Sequence, residues 1–164
     1  MAIRLSRDKD IQEITTIFNA AIELDAANAF FYPVDIANRE KWYKKIDRQK
    51  YPIWVYEEND QVYGYVYLSP FREGRPAYDA TVEISYYIHP DHWRKGIASA
   101  LMDTAFAFCK SIQYENAVAI LLDTNQGSVR LLEKHGFEQW GHLPKVATKN
   151  GKQIGQLIYG KSLI

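Results

Sequence analysis

The sequence predicts a three-layer α+β fold, a mixed central sheet with helices packed on both faces. Three observations predict it. Val82, Ile84, Tyr86 and Ile88 alternate with Thr81, Glu83, Ser85 and Tyr87, the two-residue period of a strand. Ile97, Leu101, Ala105 and Phe108 then recur at the spacing of an amphipathic helix. Residues 117–122 form an unbroken apolar run suited to a buried strand.

The other elements are arranged around these three. Residues 3–5 read as a short first strand. Residues 6–10 offer capping groups for a helix whose apolar face carries Ile11, Ile14, Ile17, Phe18 and Ala21. Residues 35–47 read as a second helix with Ile36, Trp42, Tyr43 and Ile46 turned inward. Strands at 52–57 and 62–68 join through Glu58-Asn59-Asp60 as a hairpin. A loop over 69–76, with two prolines and a glycine, leads to the alternating strand at 78–88. His89-Pro90-Asp91-His92 breaks that strand and the 97–111 helix follows. After the 117–122 strand, Asp123-Thr124-Asn125 caps a helix that runs to Lys134 and ends at His135-Gly136. The tail, 137–163, reads as two strands turning at Asn150-Gly151. The order is β-α-α-β-β-β-α-β-α-β-β. No linker, repeat or low-complexity stretch divides it, so residues 1–164 are expected to form one domain.

Composition narrows the partners. Twenty basic residues balance twenty acidic ones, so no global field draws the chain to nucleic acid or to a membrane surface. Any anionic ligand must be held locally. The four Trp and twelve Tyr lack the basic groove that a nucleic-acid stacking platform needs. Cys109 is the one cysteine, and no Cys/His cluster suggests a metal. With no apolar run near the roughly 20 residues of a membrane span and no signal-peptide pattern at the start, a cytoplasmic location is expected.

The most informative segment is Ile88-His89-Pro90-Asp91-His92-Trp93-Arg94-Lys95-Gly96-Ile97-Ala98-Ser99, a basic turn between a strand and a helix. The first N–H groups of a helix have no internal partner and carry the positive end of its dipole. Gly96 allows a diphosphate to approach them closely, with Arg94 and Lys95 at the rim. An ordinary basic connection would use the same residue types. The glycine spacing of a Rossmann turn and the ending of a P-loop are both absent.

The segment resembles the acyl-CoA signature of the GNAT acetyltransferase superfamily, Gln/Arg-x-x-Gly-x-Gly/Ala. Gly96 and Ala98 match, and Trp93 stands where Gln or Arg is usual. Tyr51-Pro52, Gly64-Tyr65, Pro70-Phe71-Arg72, Tyr78, Thr81-Val82-Glu83, His89-Pro90-Asp91-His92, Asn125 with Ser128, and the ending from Leu143-Pro144 to Lys149-Asn150-Gly151 look like its phosphinothricin and methionine sulfone acetyltransferase subgroup. The resemblance implies a mostly antiparallel sheet whose catalytic strand is bulged and splayed from its neighbour. It also implies acetyl-CoA as cosubstrate without a metal, a small-molecule amine as acceptor, and commonly a homodimer.

It distributes roles as well. Glu83, on the polar strand face, is expected to be the general base that takes a proton from the attacking ammonium; a solvated strand glutamate is the plainer alternative. The Ile88 N–H is implied as oxyanion donor, with Tyr87 and His89 beside the acyl arm. Arg94, Lys95, Gly96, Ile97, Ala98 and Ser99 would hold the diphosphate, and Asn125 and Ser128 the pantetheine or adenosine end. Arg72, Tyr78 and Ser85 join Glu83 as candidate substrate contacts, each with a surface or packing role as the alternative. In the family motif Tyr/His-Glu-x-x-Gly-Phe, this chain reads Leu132-Glu133-Lys134-His135-Gly136-Phe137, so leucine stands where the acid is usual. The stretches Asn28-Ala29-Phe30-Phe31 and Lys152-Gln153-Ile154-Gly155 also depart from the subgroup. A protein N-terminal or lysine acetyltransferase, or a non-catalytic acyl-CoA sensor, remain the other readings.

Overall fold

The computed structural model describes residues 1–24 and 28–164. The element order follows the expected one. β1 (Ala2–Leu5) leads into α1 (Ile11–Glu23) and α2 (Ile36–Lys45), then β2 (Ile53–Glu58), β3 (Gln61–Pro70) and β4 (Thr81–Ile88). α3 (Ile97–Ser111), β5 (Asn116–Leu122), α4 (Gln126–Lys134), β6 (Glu138–Lys149) and β7 (Lys152–Ser162) complete it. The strands form a seven-stranded sheet in the order β1-β2-β3-β4-β5-β7-β6. Among the described residues β4 and β5 are the one parallel pair; the other neighbours are antiparallel.

Both hairpin turns use residues with positive φ, Asn59 and Asp60 in one and Asn150 and Gly151 in the other. That backbone matches the right-handed twist of the strands it joins. Helices cover both faces. Ile11, Ile14 and Ile17 of α1 and Tyr43 of α2 pack on Ile53, Val55 and Tyr65. On the opposite face Leu101, Met102 and Ala105 of α3, with Leu132 of α4, pack on Val66, Leu68, Val82 and Ile84. Each of these Ile, Val, Leu and Met side chains contributes about 1.5–3 kcal/mol by leaving water.

Four local expectations change. The strand at 78–88 starts at Thr81, because Pro76 opens a short 3₁₀ turn over Pro76–Tyr78 that takes Tyr78 out of the ladder. β3 runs on to Pro70, shortening the loop at 69–76. In α2, Ile36 is 38% exposed, and the inward position belongs to Arg39, only 6% exposed. Its guanidinium lies 3.7 Å from the Trp42 ring centroid and 4.4 Å from that of Phe18, so cation–π contacts take the place of a carboxylate. Finally, Asp10 does not cap α1 by its side chain. It is 2% exposed and accepts from the Arg7 N–H and from Arg4, which also bridges to Glu57.

Candidate active site

The site begins where the sheet opens. β4 and β5 pair only from Thr81↔Asn116 to Glu83↔Val118. Beyond that, β5 stays with β7, from Ala119↔Tyr159 to Leu122↔Gln156, and leaves β4 behind. The expected splay is present. The expected bulge is not: β4 pairs with β3 in unbroken register from Gly64↔Ile88 to Pro70↔Val82.

That regular ladder fixes which way the amides of β4 point. The His89 N–H donates to the Tyr63 carbonyl at 2.9 Å. In an antiparallel ladder hydrogen-bonded and non-hydrogen-bonded pairs alternate, so Gly64–Ile88 is a non-bonded pair. The Ile88 N–H therefore points away from β3 and into the gap, as does that of Tyr86. The Ile88 carbonyl faces the same way, and the Trp93 indole N–H donates to it at 2.9 Å. Gly64 matters to this corner because a Cβ there would lie 2.6 Å from Ile88 Cδ1 and 3.2 Å from Ile97 Cγ2.

A cleft of about 980 Å³ fills the gap. β4 lines it from Ile84 to Ile88, and Ala119, Ile120 and Leu121 of β5 face them. One end is the mouth of α3, with Arg94, Gly96, Ile97, Ala98 and Ser99. The mouth is open for physical reasons. Gly96 is the N-cap at φ 81° and makes no side-chain cap bond, so no side chain competes for the first amides. Arg94 also takes a left-handed φ of 60°. Asn125 and Ser128 line the cleft at the start of α4, where the Asn125 side chain accepts from the Ser128 N–H at 3.2 Å. Leu131 and Leu132 close that wall.

Lys95 and His89, two expected ligands, are not among the residues that line the cleft. Lys95 Nζ sits 3.4 Å from His92 Nδ1, and the His89 ring accepts from the Asp91 N–H within its own turn. Arg130 and Lys134 line the cleft instead, four residues apart on one face of α4. That spacing was the available signal for them. His135 provides the helix C-cap, and its ring lies beside Asp103 and Phe106 of α3.

Glu83 lies at the last β4–β5 pair, where the strands part. Its side chain is on the α1/α2 face of the sheet with Ser85 and Tyr87, and opposite Ser69 and Tyr67 across β3. It makes no hydrogen bond or ion pair among the described residues. Burial pushes its carboxyl above the usual glutamate value. Ser85 and Tyr87 border the cleft, as do Ala21 and Leu24 from α1, so the opening reaches both faces of the sheet. Tyr78, 41% exposed, meets Phe71 edge-on, and Arg72 is exposed with no ion-pair partner among the described residues.

The opened β4–β5 pair is the splay that the sequence resemblance implied. A model of the acetyltransferase (GNAT) family matches residues 18–137. The chain belongs to the GNAT acetyltransferase family. An L-amino acid N-acyltransferase, MnaT of Escherichia coli, is 34% identical, with 94% of this chain and 89% of that protein covered. The L-methionine sulfoximine/L-methionine sulfone acetyltransferase of Salmonella typhimurium is 33% identical over 94% of this chain and 90% of its own. Among solved structures, a GNAT phosphinothricin acetyltransferase from Sinorhizobium meliloti in complex with acetyl-CoA superimposes with a TM-score of 0.91. It is 26% identical and covers 98% of this chain and 87% of that one. Among the described residues, no helix of this GNAT acetyltransferase is long and apolar enough to cross a membrane.

Proposed function

We propose that this protein uses acetyl-CoA to acetylate the primary amine of a small molecule, an amino acid or a close analogue, with Glu83 as general base. The observation that carries this reading is the parting of β4 from β5 immediately after Glu83. Glu83, Arg72 and Tyr78 do not themselves line the cleft, but Glu83 stands one residue before its first lining residue on β4, Ile84, and on the same strand face as Ser85 and Tyr87, which do line it. The residues present suit the donor. The uncapped mouth of α3, with Arg94, Arg130 and Lys134 around the cleft, offers amides and cations to a diphosphate. The apolar walls of Ala119, Leu121 and Leu131 suit the pantetheine arm. The names of the Escherichia coli and Salmonella relatives support an amino-acid-like acceptor.

The chemistry follows from protonation. A primary ammonium with a pKa near 10 is about three units from neutral pH, so freeing its lone pair costs roughly 4 kcal/mol. Glu83, with no cation holding its charge among the described residues, is available to take that proton directly or through water. The Ile88 N–H, turned into the gap, donates to the oxygen where negative charge develops. Trp93 holds the Ile88 carbonyl and so steadies that peptide. Arg72, exposed and without an ion-pair partner among the described residues, would offer its guanidinium to a substrate carboxylate, with Tyr78 and Ser85 as further walls of the acceptor site.

Two accompanying proposals concern the setting. The outer strand β6 exposes Trp140, Leu143 and Val146, apolar surface that a homodimer would cover, and light scattering of the purified protein tests it. A cytoplasmic location fits the lone, buried Cys109 and is tested by cell fractionation.

The principal test is thiol release from acetyl-CoA against a panel of free amino acids, polyamines and peptides. Turnover of a free amino acid supports the proposal. Turnover of peptides alone moves the acceptor to a protein, and saturable CoA binding with no turnover makes the protein a sensor.

A further inference from the structure

We propose that Tyr86 is a further catalytic residue, its phenolic hydroxyl donating a hydrogen bond to the departing CoA sulfur in the role that Leu132 cannot fill. This inference rests on the acetyl-transfer reading above. Three observations lead to it.

The first is a polar atom without a task. Tyr86 Oη is buried, and no well-formed hydrogen bond satisfies it among the described residues; the Ser128 side chain is close enough to interact but does not complete one. A buried hydroxyl left unsatisfied is destabilising, so its position calls for a partner that binds there. The second is location. Tyr86 lines the cleft, packs against the cluster that contains Leu132, and has the Ser128 side chain as a close polar neighbour. Ser128 and Leu132 are one turn apart on the same face of α4. The phenol thus approaches from β4 the helix face on which the family places its Tyr or His.

The third is direction. Tyr86 and Glu83 are three residues apart on a regular strand, so their side chains leave opposite faces of the sheet. In the acetyl-transfer reading the acceptor lies on the α1/α2 face and the pantetheine arm runs between β5 and α4, so the sulfur sits on the α3/α4 side of the carbonyl carbon, where Tyr86 stands. Burial pushes the Tyr86 phenol up to about 12, so it remains a protonated donor throughout the working pH range.

The proton balance is as follows. Glu83 takes one proton from the ammonium, and the amine forms the C–N bond. As the C–S bond breaks, its electron pair goes to sulfur, and Tyr86 Oη–H stabilises the thiolate without losing its proton. A second proton, from the acylated nitrogen, passes through water to sulfur and gives the thiol. The proton held by Glu83 is released to solvent.

The decisive experiment is a pH titration of bound CoA, followed by the ultraviolet absorbance of its thiolate, with desulfo-CoA complexes as blanks. A hydrogen bond donated to a charged sulfur lowers the thiol pKa by about one unit, tenfold in its ionisation constant. The wild-type complex is expected to show that difference from Tyr86→Phe, which keeps the ring and its packing. Steady-state kinetics should show kcat reduced about ten- to thirtyfold in Tyr86→Phe, with KM for acetyl-CoA unchanged. Equal thiol pKa values in the two complexes overturn the proposal, whatever the rates. If the wild type turns over no amine but the pKa difference is present, the transfer reading fails and the Tyr86 contact stands. If turnover is present without the pKa difference, Tyr86 fails and the transfer reading stands.

Discussion

Replacing Glu83 by Gln separates a catalytic carboxylate from a structural one, because the two roles move stability and rate in different ways. The side chain is half-buried, without hydrogen bond or ion pair among the described residues, and burial alone raises its pKa. The folded state therefore binds the Glu83 proton more tightly than the unfolded chain does. The sign follows from linkage: stability falls as pH rises from the ordinary glutamate value of 4.5 through the raised folded value. Above that window the folded protein carries the full cost of a desolvated charge. Glutamine removes the charge while keeping the shape, so Glu83→Gln should melt at the same or a higher temperature at pH 7–8. The rate should move the other way. Deprotonating the amine costs roughly 4 kcal/mol at neutral pH, and loss of a positioned base is expected to lower kcat/KM about 10²–10³-fold. Each unit of pH toward the amine pKa should recover up to about tenfold of the deficit, because solvent then supplies the neutral amine. Thiol-release kinetics from pH 6.5 to 10, with calorimetric melts of both proteins, make the test. A loss of rate that does not change with pH refutes the assignment, and a lower melting temperature shows a structural role instead.

Three other perturbations probe the frame around the site. Arg94 holds a left-handed φ of 60° that costs an L-residue about 1–2 kcal/mol, so Arg94→Gly should be more stable than Arg94→Ala by about 1 kcal/mol in denaturant titrations. Both variants should bind CoA three- to fivefold more weakly at low salt, a deficit that shrinks as salt is added. Gly64→Ala should cost about 1–2 kcal/mol in thermal melts and weaken CoA binding in calorimetry, since the new methyl displaces Ile88 and presses on Ile97 at the mouth of α3. Burial pushes the Asp10 carboxyl upward, but hydrogen bonds from Arg4 and Arg7 outweigh it and leave the group below its usual value. That stability is present above the unfolded aspartate pKa and is lost as pH falls through the folded one. Arg4→Met should therefore cost about 3 kcal/mol near neutrality and lose less on further acidification, as chemical denaturation at several pH values would show.

The element order was readable because each segment carries one dominant period. The alternation along β4, the helical spacing of α3 and the Asn-Gly turn before β7 depend on neighbours in the chain and on little else. Asn125 was identifiable as a cap for the same reason. What escaped the sequence depends on contacts between distant elements. Arg39 reads as a solvated helix residue until Phe18 and Trp42 close over it from two helices. Tyr86 reads as one apolar member of an alternating strand; only the departure of β5 makes it part of a cleft wall. Arg130 and Lys134 acquire their place from the rotation of α4 about its axis. The bulge expected in β4 is absent because splaying needs no extra residue: β5 simply ends its pairing with β4 at Val118.

The opening between β4 and β5 reaches both sides of the sheet, and this bears on traffic. On the function proposed above, a long thioester would thread in past α3 and α4 while a short acceptor arrives over α1. Neither has to vacate the passage before the other enters or leaves. Such a two-doored aperture favours a mechanism in which both reactants are present together, and lets their products depart in either sequence.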